Sequence, residues 1–109
     1  MTKFITIGYG DEQGYHATDG AVRAAAHAHD ARLATEGVAM GMAGTPVQVR
    51  NHDAAGTEVA EGPFMRSSLP VAGFAIIEAA TLEEAVELVS QTPCAVAQGV
   101  VEVWPLQTT

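Results

Sequence analysis

Phe4, Ile5 and Ile7 give a weak apolar alternation along Lys3 to Gly8, predicting a strand that ends near Tyr9; the next stretch, Tyr9-Gly10-Asp11-Glu12-Gln13-Gly14, reads as a loop. Thr18 or Asp19 then caps an alanine-rich helix running to about Thr35, with Gly37 as its stop. On a 3.6-residue wheel Val22, Ala25, Ala26, His29 and Leu33 share one face, and Arg23, His27 and Asp30 lie on another. Val38, Met40 and Met42 alternate with small residues as a second strand, broken by Ala43-Gly44-Thr45-Pro46. Val47 to Arg50 and Thr57 to Val59 read as a hairpin turning through Asn51 to Gly56. Val71 to Ala79 is the clearest strand. Thr81-Leu82-Glu83-Glu84 is a capping box that opens a helix with the apolar stripe Leu82, Ala85, Val86 and Val89, ending before Pro93. Val100 to Trp104 is the last strand, closed by Pro105.

The order β-α-β-β-β-α-β predicts an α+β fold: a ferredoxin-like split βαβ arrangement with an inserted β-hairpin, its antiparallel sheet carrying two helices on one face. The strands, however, are apolar on both faces. Phe4 opposes Ile5 and Ile7, Phe74 and Ile76 oppose Ile77, and Val100 and Trp104 oppose Val101 and Val103. Alternate side chains point to opposite sides, so two helices cover only one set, and a second copy packing sheet against sheet is the simplest cover for the other.

Composition narrows the classes of partner. With 109 residues, 48% hydrophobic and 17% charged, the chain fits one globular domain, residues 1–109. Thirteen acidic against five scattered basic residues give a net charge of −8, which argues against nucleic acid and anionic membrane surfaces. The start lacks the pattern of a secretory signal, and no apolar run approaches a membrane span. The single cysteine, Cys94, excludes an internal disulfide, so a reducing cytoplasm is the expected location and packing is the expected role of its thiol.

His29 is the sharpest candidate, because an imidazole on an apolar helix face is suited to proton transfer near neutral pH; the alternative is a core histidine bonded to backbone. His27 and His29 point about 200° apart on the helix, so they do not chelate one ion, and no metal is expected. His16 follows Tyr15 in a loop that reaches toward a pocket mouth, and His52 falls in the hairpin turn. Glu61, before the rigid Gly62-Pro63-Phe64 turn, either presents a carboxylate to a pocket or caps the turn. Met40, Met42, Tyr9, Phe74 and Trp104 either line an apolar cavity or form core and dimer interface. The glycines of the Tyr9 to Gly14 stretch lack the spacing of a dinucleotide loop, and no cofactor is expected.

Tyr9-Gly10-Asp11-Glu12, Val47-Gln48-Val49-Arg50 followed by Glu61-Gly62-Pro63-Phe64, Gly73-Phe74-Ala75-Ile76-Ile77-Glu78-Ala79-Ala80 leading into Leu82-Glu83-Glu84-Ala85, and the ending Gly99-Val100-Val101-Glu102-Val103-Trp104-Pro105 are familiar as a set. Together they resemble the YCII-related family, in the branch named for its Asp-Gly-Pro-Phe motif. The resemblance implies a dimeric α+β barrel, an architecture shared with small monooxygenases, isomerases and lyases. It also implies two lines of function: some members adjoin or are fused to alternative sigma factors, and the wider family includes members credited with lyase-like dehalogenation. A helix histidine pairing with an aspartate, known in the YCII branch proper, falls near His27 and His29. The chain departs from the family at Glu61, which replaces the motif's aspartate, at Met65-Arg66-Ser67-Ser68, where glutamates are usual, and at Trp104, where arginine is usual. Arg66 with two hydroxyls favours an anionic ligand, or else simply occupies an exposed loop.

The leading expectation is a cofactor-independent enzyme, isomerase- or lyase-like, using His29 or His27 with Glu61 on a small molecule held between sheet and helices. The rival expectation is a ligand-binding or regulatory module without catalysis.

Overall fold

The computed structural model describes residues 1–108. Four strands, β1 (Thr2–Tyr9), β2 (Ala39–Met42), β5 (Val71–Ala79) and β6 (Val100–Pro105), form one antiparallel sheet in the order β2-β5-β1-β6. β3 (Val47–Arg50) and β4 (Glu58–Glu61) pair only with one another, as the expected hairpin. The fold is therefore α+β, with the split βαβ order and the inserted hairpin that the periodicity predicts.

The helices are α1 (Glu12–Ala17), α2 (Gly20–Thr35), α3 (Leu82–Val89) and α4 (Pro93–Val96). Asp19, not Thr18, caps α2, accepting from the Ala21 amide, and Gly37 at φ 92° supplies the left-handed stop that a Cβ would strain. Thr81 caps α3 by accepting from Glu84 N, while the Glu84 carboxylate accepts from the Ala80 amide one residue before the cap.

Two expectations need correction, and a third gains an element. The segment after Tyr9 holds a short helix, because Asp11 accepts from the Gly14 amide and so starts α1. α3 ends at Val89, before Pro93 as expected, and Pro93 itself stands in the first turn of a further short helix, α4, where a missing amide costs no hydrogen bond. β4 lies at Glu58–Glu61, not Thr57 to Val59, which makes Glu61 the end of a strand. These two unexpected short helices also rotate the buried stripe of α2. Ala26, His29 and Leu33 are buried as expected, but Val22 and Ala25 are exposed while Arg23 and Asp30 are half-buried, since α4 packs on that side.

Phe4, Ile77, Ala79, Ala85 and Val89 form the core between sheet and helices, flanked by Val38, Ala75, Leu88, Val101 and Val103. The opposite sheet face carries Ile5, Ile76 and Trp104 in one cross-strand row and Phe74, Ile7 and Glu102 in the next. Ile5, Phe74, Ile76 and Trp104 are exposed there, an apolar surface left uncovered by the chain's own helices. None of the described helices is long and apolar enough to cross a membrane.

Candidate functional site

Tyr9 ends β1 at a bulge. Gly8 faces Gly73 on β5, but Tyr9 faces Val71, so Ala72 is the extra residue and the strand twists more sharply there. On the other side the register with β6 is unbroken: Tyr9 faces Val100, and Glu102 is its diagonal neighbour on the same face. A tyrosine ring spans that diagonal. Its hydroxyl donates to Glu102 Oε1 at 2.5 Å and touches Met65 Sδ at 3.5 Å. The hydrogen bond to Glu102, then loss of solvent, then the neighbouring negative charge hold the Tyr9 hydroxyl above its ordinary pKa of 10.0.

A cleft of about 400 Å³ surrounds this pair, lined by Tyr9, Val100 and Glu102 from the sheet and by residues 65–69 of the segment leading into β5. Tyr9 is buried, to 7% exposure, Met65 touches its hydroxyl, and Pro70 anchors the 65–69 segment by accepting from the Gly10 amide. Ser67 turns its hydroxyl onto the Leu69 carbonyl. Arg66 stands at the cleft with no hydrogen-bond partner among the described residues. The site thus offers a carboxylate, a phenol that keeps its proton at neutral pH, an uncommitted guanidinium and apolar walls.

The sequence named Tyr9 and Arg66 as ligand contacts, and the structure brings both into this cleft. Glu102 was missed. Phe74 and Trp104 lie on the same uncovered face, in the rows beside it, and both are about half exposed. Met40 is half-buried on β2 opposite Ala75, whose side belongs to the helix-covered face, and Met42 is 93% exposed at the strand's end.

The histidines and Glu61 sit elsewhere. His29 bridges α2 to α3: Nε2 lies 2.8 Å from the Leu88 carbonyl, and Arg32 reaches Nδ1 at 3.4 Å. A carbonyl only accepts, so Nε2 carries the proton and Nδ1 is the acceptor. His27 is exposed, its Nε2 2.7 Å from the Tyr15 hydroxyl, and Arg23 lies over the Tyr15 ring at 4.8 Å. His16 is exposed with its ring edge-on to Tyr15, and His52 is exposed in the hairpin turn. Glu61 is exposed on β4 across from Val47, on a different element from His29, and no hydrogen bond joins the two. Neither this cleft nor the one lined by Pro46–Arg50 and Gly62–Phe64 takes a lining residue from a helix, and the Tyr9–Glu102 cleft opens on the sheet face opposite the helices.

Asp30 is the other electrostatic anomaly. Its Oδ1 is buried without a partner, as is Arg23 Nε, and burial raises its pKa against the opposing effect of the His29 and His27 imidazoles. Among the described residues no three histidine, cysteine or acidic side chains converge as a metal site.

Comparison with curated proteins returns no match. The YCII-related domain matches residues 2–108, essentially the whole described chain, and the protein therefore belongs to the YCII-related family.

Proposed function

We propose that this protein is a cofactor-independent acid–base catalyst acting on a small carboxylate-bearing molecule in the Tyr9–Glu102 cleft. The observation that carries the reading is the 2.5 Å Tyr9–Glu102 contact inside a partly apolar cleft that also holds Arg66. A proton shift between two carbons needs a base to take the proton and a donor for the oxyanion that develops on a neighbouring carbonyl. Glu102 is the base. Tyr9, kept protonated by Glu102 itself, turns its hydroxyl to the substrate oxygen; Glu102 then returns the same proton to a different carbon, so no oxidant or reductant enters. Arg66 would hold the substrate's carboxylate as an ion pair. His29, engaged at both ring nitrogens, serves this reading as a packing residue.

The same reading takes the chain into the Asp-Gly-Pro-Phe branch of the family, supported by Gly62-Pro63-Phe64 with Glu61 in the aspartate's place and by the ending Gly99-Val100-Val101-Glu102-Val103 before Pro105, where Trp104 departs from the usual arginine. It also takes the protein as a homodimer of the α+β barrel type, with Ile5, Phe74, Ile76 and Trp104 of two copies covering one another.

Thermal stability against a panel of small aromatic, lactone and aliphatic carboxylates, followed by deuterium uptake from heavy water into each stabilising compound, tests the catalytic reading. Stabilisation lost in Arg66→Ala and exchange lost in Glu102→Gln are the expected results. Stabilisation without exchange would replace catalysis by ligand binding in a regulatory module. Exchange that survives in Glu102→Gln would remove the carboxylate from the chemistry.

A further inference from the structure

The β3–β4 hairpin has no core to belong to. Every residue from 51 to 61 is exposed, as are Val47 and Val49. Val49 pairs directly with Val59, and Val47 shares their face opposite Glu61, so one side of the hairpin carries three exposed valines with a carboxylate at its end. An isolated two-stranded hairpin is marginal in water, and this one needs a surface to lie on. The chain's overall dimensions say the same. Its radius of gyration is 15.8 Å and its longest extent 52 Å, whereas a compact domain of this length has a radius near 13 Å. Its accessible surface is 7542 Å², about 1,800 Å² more than the ~5,700 Å² usual for a folded monomer of 11.3 kDa. That excess surpasses the roughly 800 Å² per partner of an ordinary stable interface and falls in the range of obligate dimers.

The strand β6 presents the complementary need. It is an edge of the main sheet, its outer backbone groups take no strand partner, and Val100, Trp104 and the following Leu106 are each about half exposed along it. Exposed apolar edges are normally covered. The chain's own hairpin forms a separate sheet and does not pair with its own β6. We infer that the hairpin is an exchanged arm, which in the dimer lies along β6 of a second copy with Val47, Val49 and Val59 against that copy's Val100, Trp104 and Leu106. Val100 is also a wall of the Tyr9–Glu102 cleft, so the arm of one copy closes the cleft of the other, and each site is complete only in the dimer. This inference rests on the homodimer reading above and adds to it the arm's position.

Light scattering across protein concentration, applied to the wild type, Val59→Glu and Ile76→Glu, separates the two ideas. The arm predicts a wild-type dimer whose dissociation constant rises by about 30-fold or more in Val59→Glu, since the variant places a charge in a desolvated contact. A second measurement is independent of that variant's fold: in a Cys94→Ala background, Val59→Cys and Trp104→Cys chains are mixed and treated with a short bismaleimide. Cross-linked heterodimer, absent when either chain is treated alone, is the expected product. A wild-type dimer weakened by Ile76→Glu, untouched by Val59→Glu and giving no arm-to-edge cross-link would overturn the arm while leaving the sheet-face dimer standing. A wild-type monomer at tens of micromolar would overturn both. In a third chain carrying both Val59→Cys and Trp104→Cys, linkage formed only within the chain would show the arm folding onto its own sheet, and so would also overturn the exchange.

Discussion

His29 and Leu88 are 59 positions apart in the chain and 2.8 Å apart in space, and their hydrogen bond ties the middle of α2 to the last turn of α3. Carbonyls in a helix's last turn lack intrahelical partners; the Leu88 carbonyl finds one in an imidazole from another helix. His29→Ala leaves that carbonyl unpaired in a largely buried seam and should cost about 1–3 kcal/mol. The thermal midpoint is expected to fall by ~5–15 °C. Ligand-induced stabilisation, measured on the same samples, is expected to survive, because the ring takes no part in the cleft. His29→Gln, which keeps a donor, should recover part of the loss.

Tyr9 carries a pH dependence whose sign follows from its raised pKa. Below about pH 10 the phenol is neutral in the folded and unfolded chain alike, and its contribution to stability is fully present. As pH rises past 10 the unfolded chain ionises first, so stability falls until the folded Tyr9 also ionises. Tyrosinate absorbance should show a step above the ordinary tyrosine value that is absent in Tyr9→Phe. Glu102→Gln removes the negative charge and weakens the hydrogen bond, and is expected to bring that step toward the ordinary value. Absence of that raised step in the wild type would show that the pair does not exist in solution.

The long elements were legible because their periods repeat: nine residues of β5 and sixteen of α2 give the pattern room to declare itself. α1 and α4, at six and four residues, are too short to show a period, and Pro93 reads equally well as a stop or as a first turn. Missing them hid the burial of Arg23 and Asp30. At the candidate site, Tyr9 and Arg66 were legible from their chemistry, while Glu102 looked like ordinary strand polarity. The signal for Glu102 lay in register: it falls between Val100 and Trp104 on a face otherwise apolar. For His29 the wheel reports that the side chain is buried but not what engages it, and the structure shows the backbone-bonded geometry that stood as its alternative. Glu61 did so because its motif suggests a turn, whereas the residue belongs to a strand of the hairpin.

Cys94 packs its sulfur against Gly8, where an added Cβ would come within 2.9 Å of Sγ. Burial first, and the Asp30 carboxylate second, raise the thiol's pKa. The thiolate is the reactive form, so Cys94 should react with Ellman's reagent at neutral pH far more slowly in the native protein than in urea, by ~10-fold or more. Asp30→Asn removes the second cause and should speed the native reaction slightly. The same variant tests Asp30 itself, whose folded pKa is raised above 3.8. The stability that protonated Asp30 contributes is present below that value and lost as pH rises through the folded pKa. Asp30→Asn should therefore raise the thermal midpoint at pH 7 by ~2 °C, and the gain should shrink toward pH 4.

Gly99 is the tightest position near the cleft. A Cβ there would meet the Tyr9 carbonyl oxygen at 2.1 Å and the Cys94 carbonyl oxygen at 2.6 Å, both backbone atoms that do not swing aside. Gly99 also donates its amide to Cys94 O at 3.0 Å, fixing the end of α4 where β6 begins. Gly99→Ala must separate β6 from β1 at the Tyr9–Val100 pair, at a cost of about 3 kcal/mol or more. Gly56→Ala, at a hairpin position with open space around it, serves as the control and should change stability little. Because Glu102 follows Gly99 by three residues on β6, the displacement should lengthen the Tyr9–Glu102 hydrogen bond as well. The expected pairing of results is a large drop in thermal midpoint together with a Tyr9 titration moved toward the ordinary value. A Gly99→Ala protein as stable as the wild type, with an unchanged Tyr9 titration, would mean that β6 starts further from β1 than the structure places it.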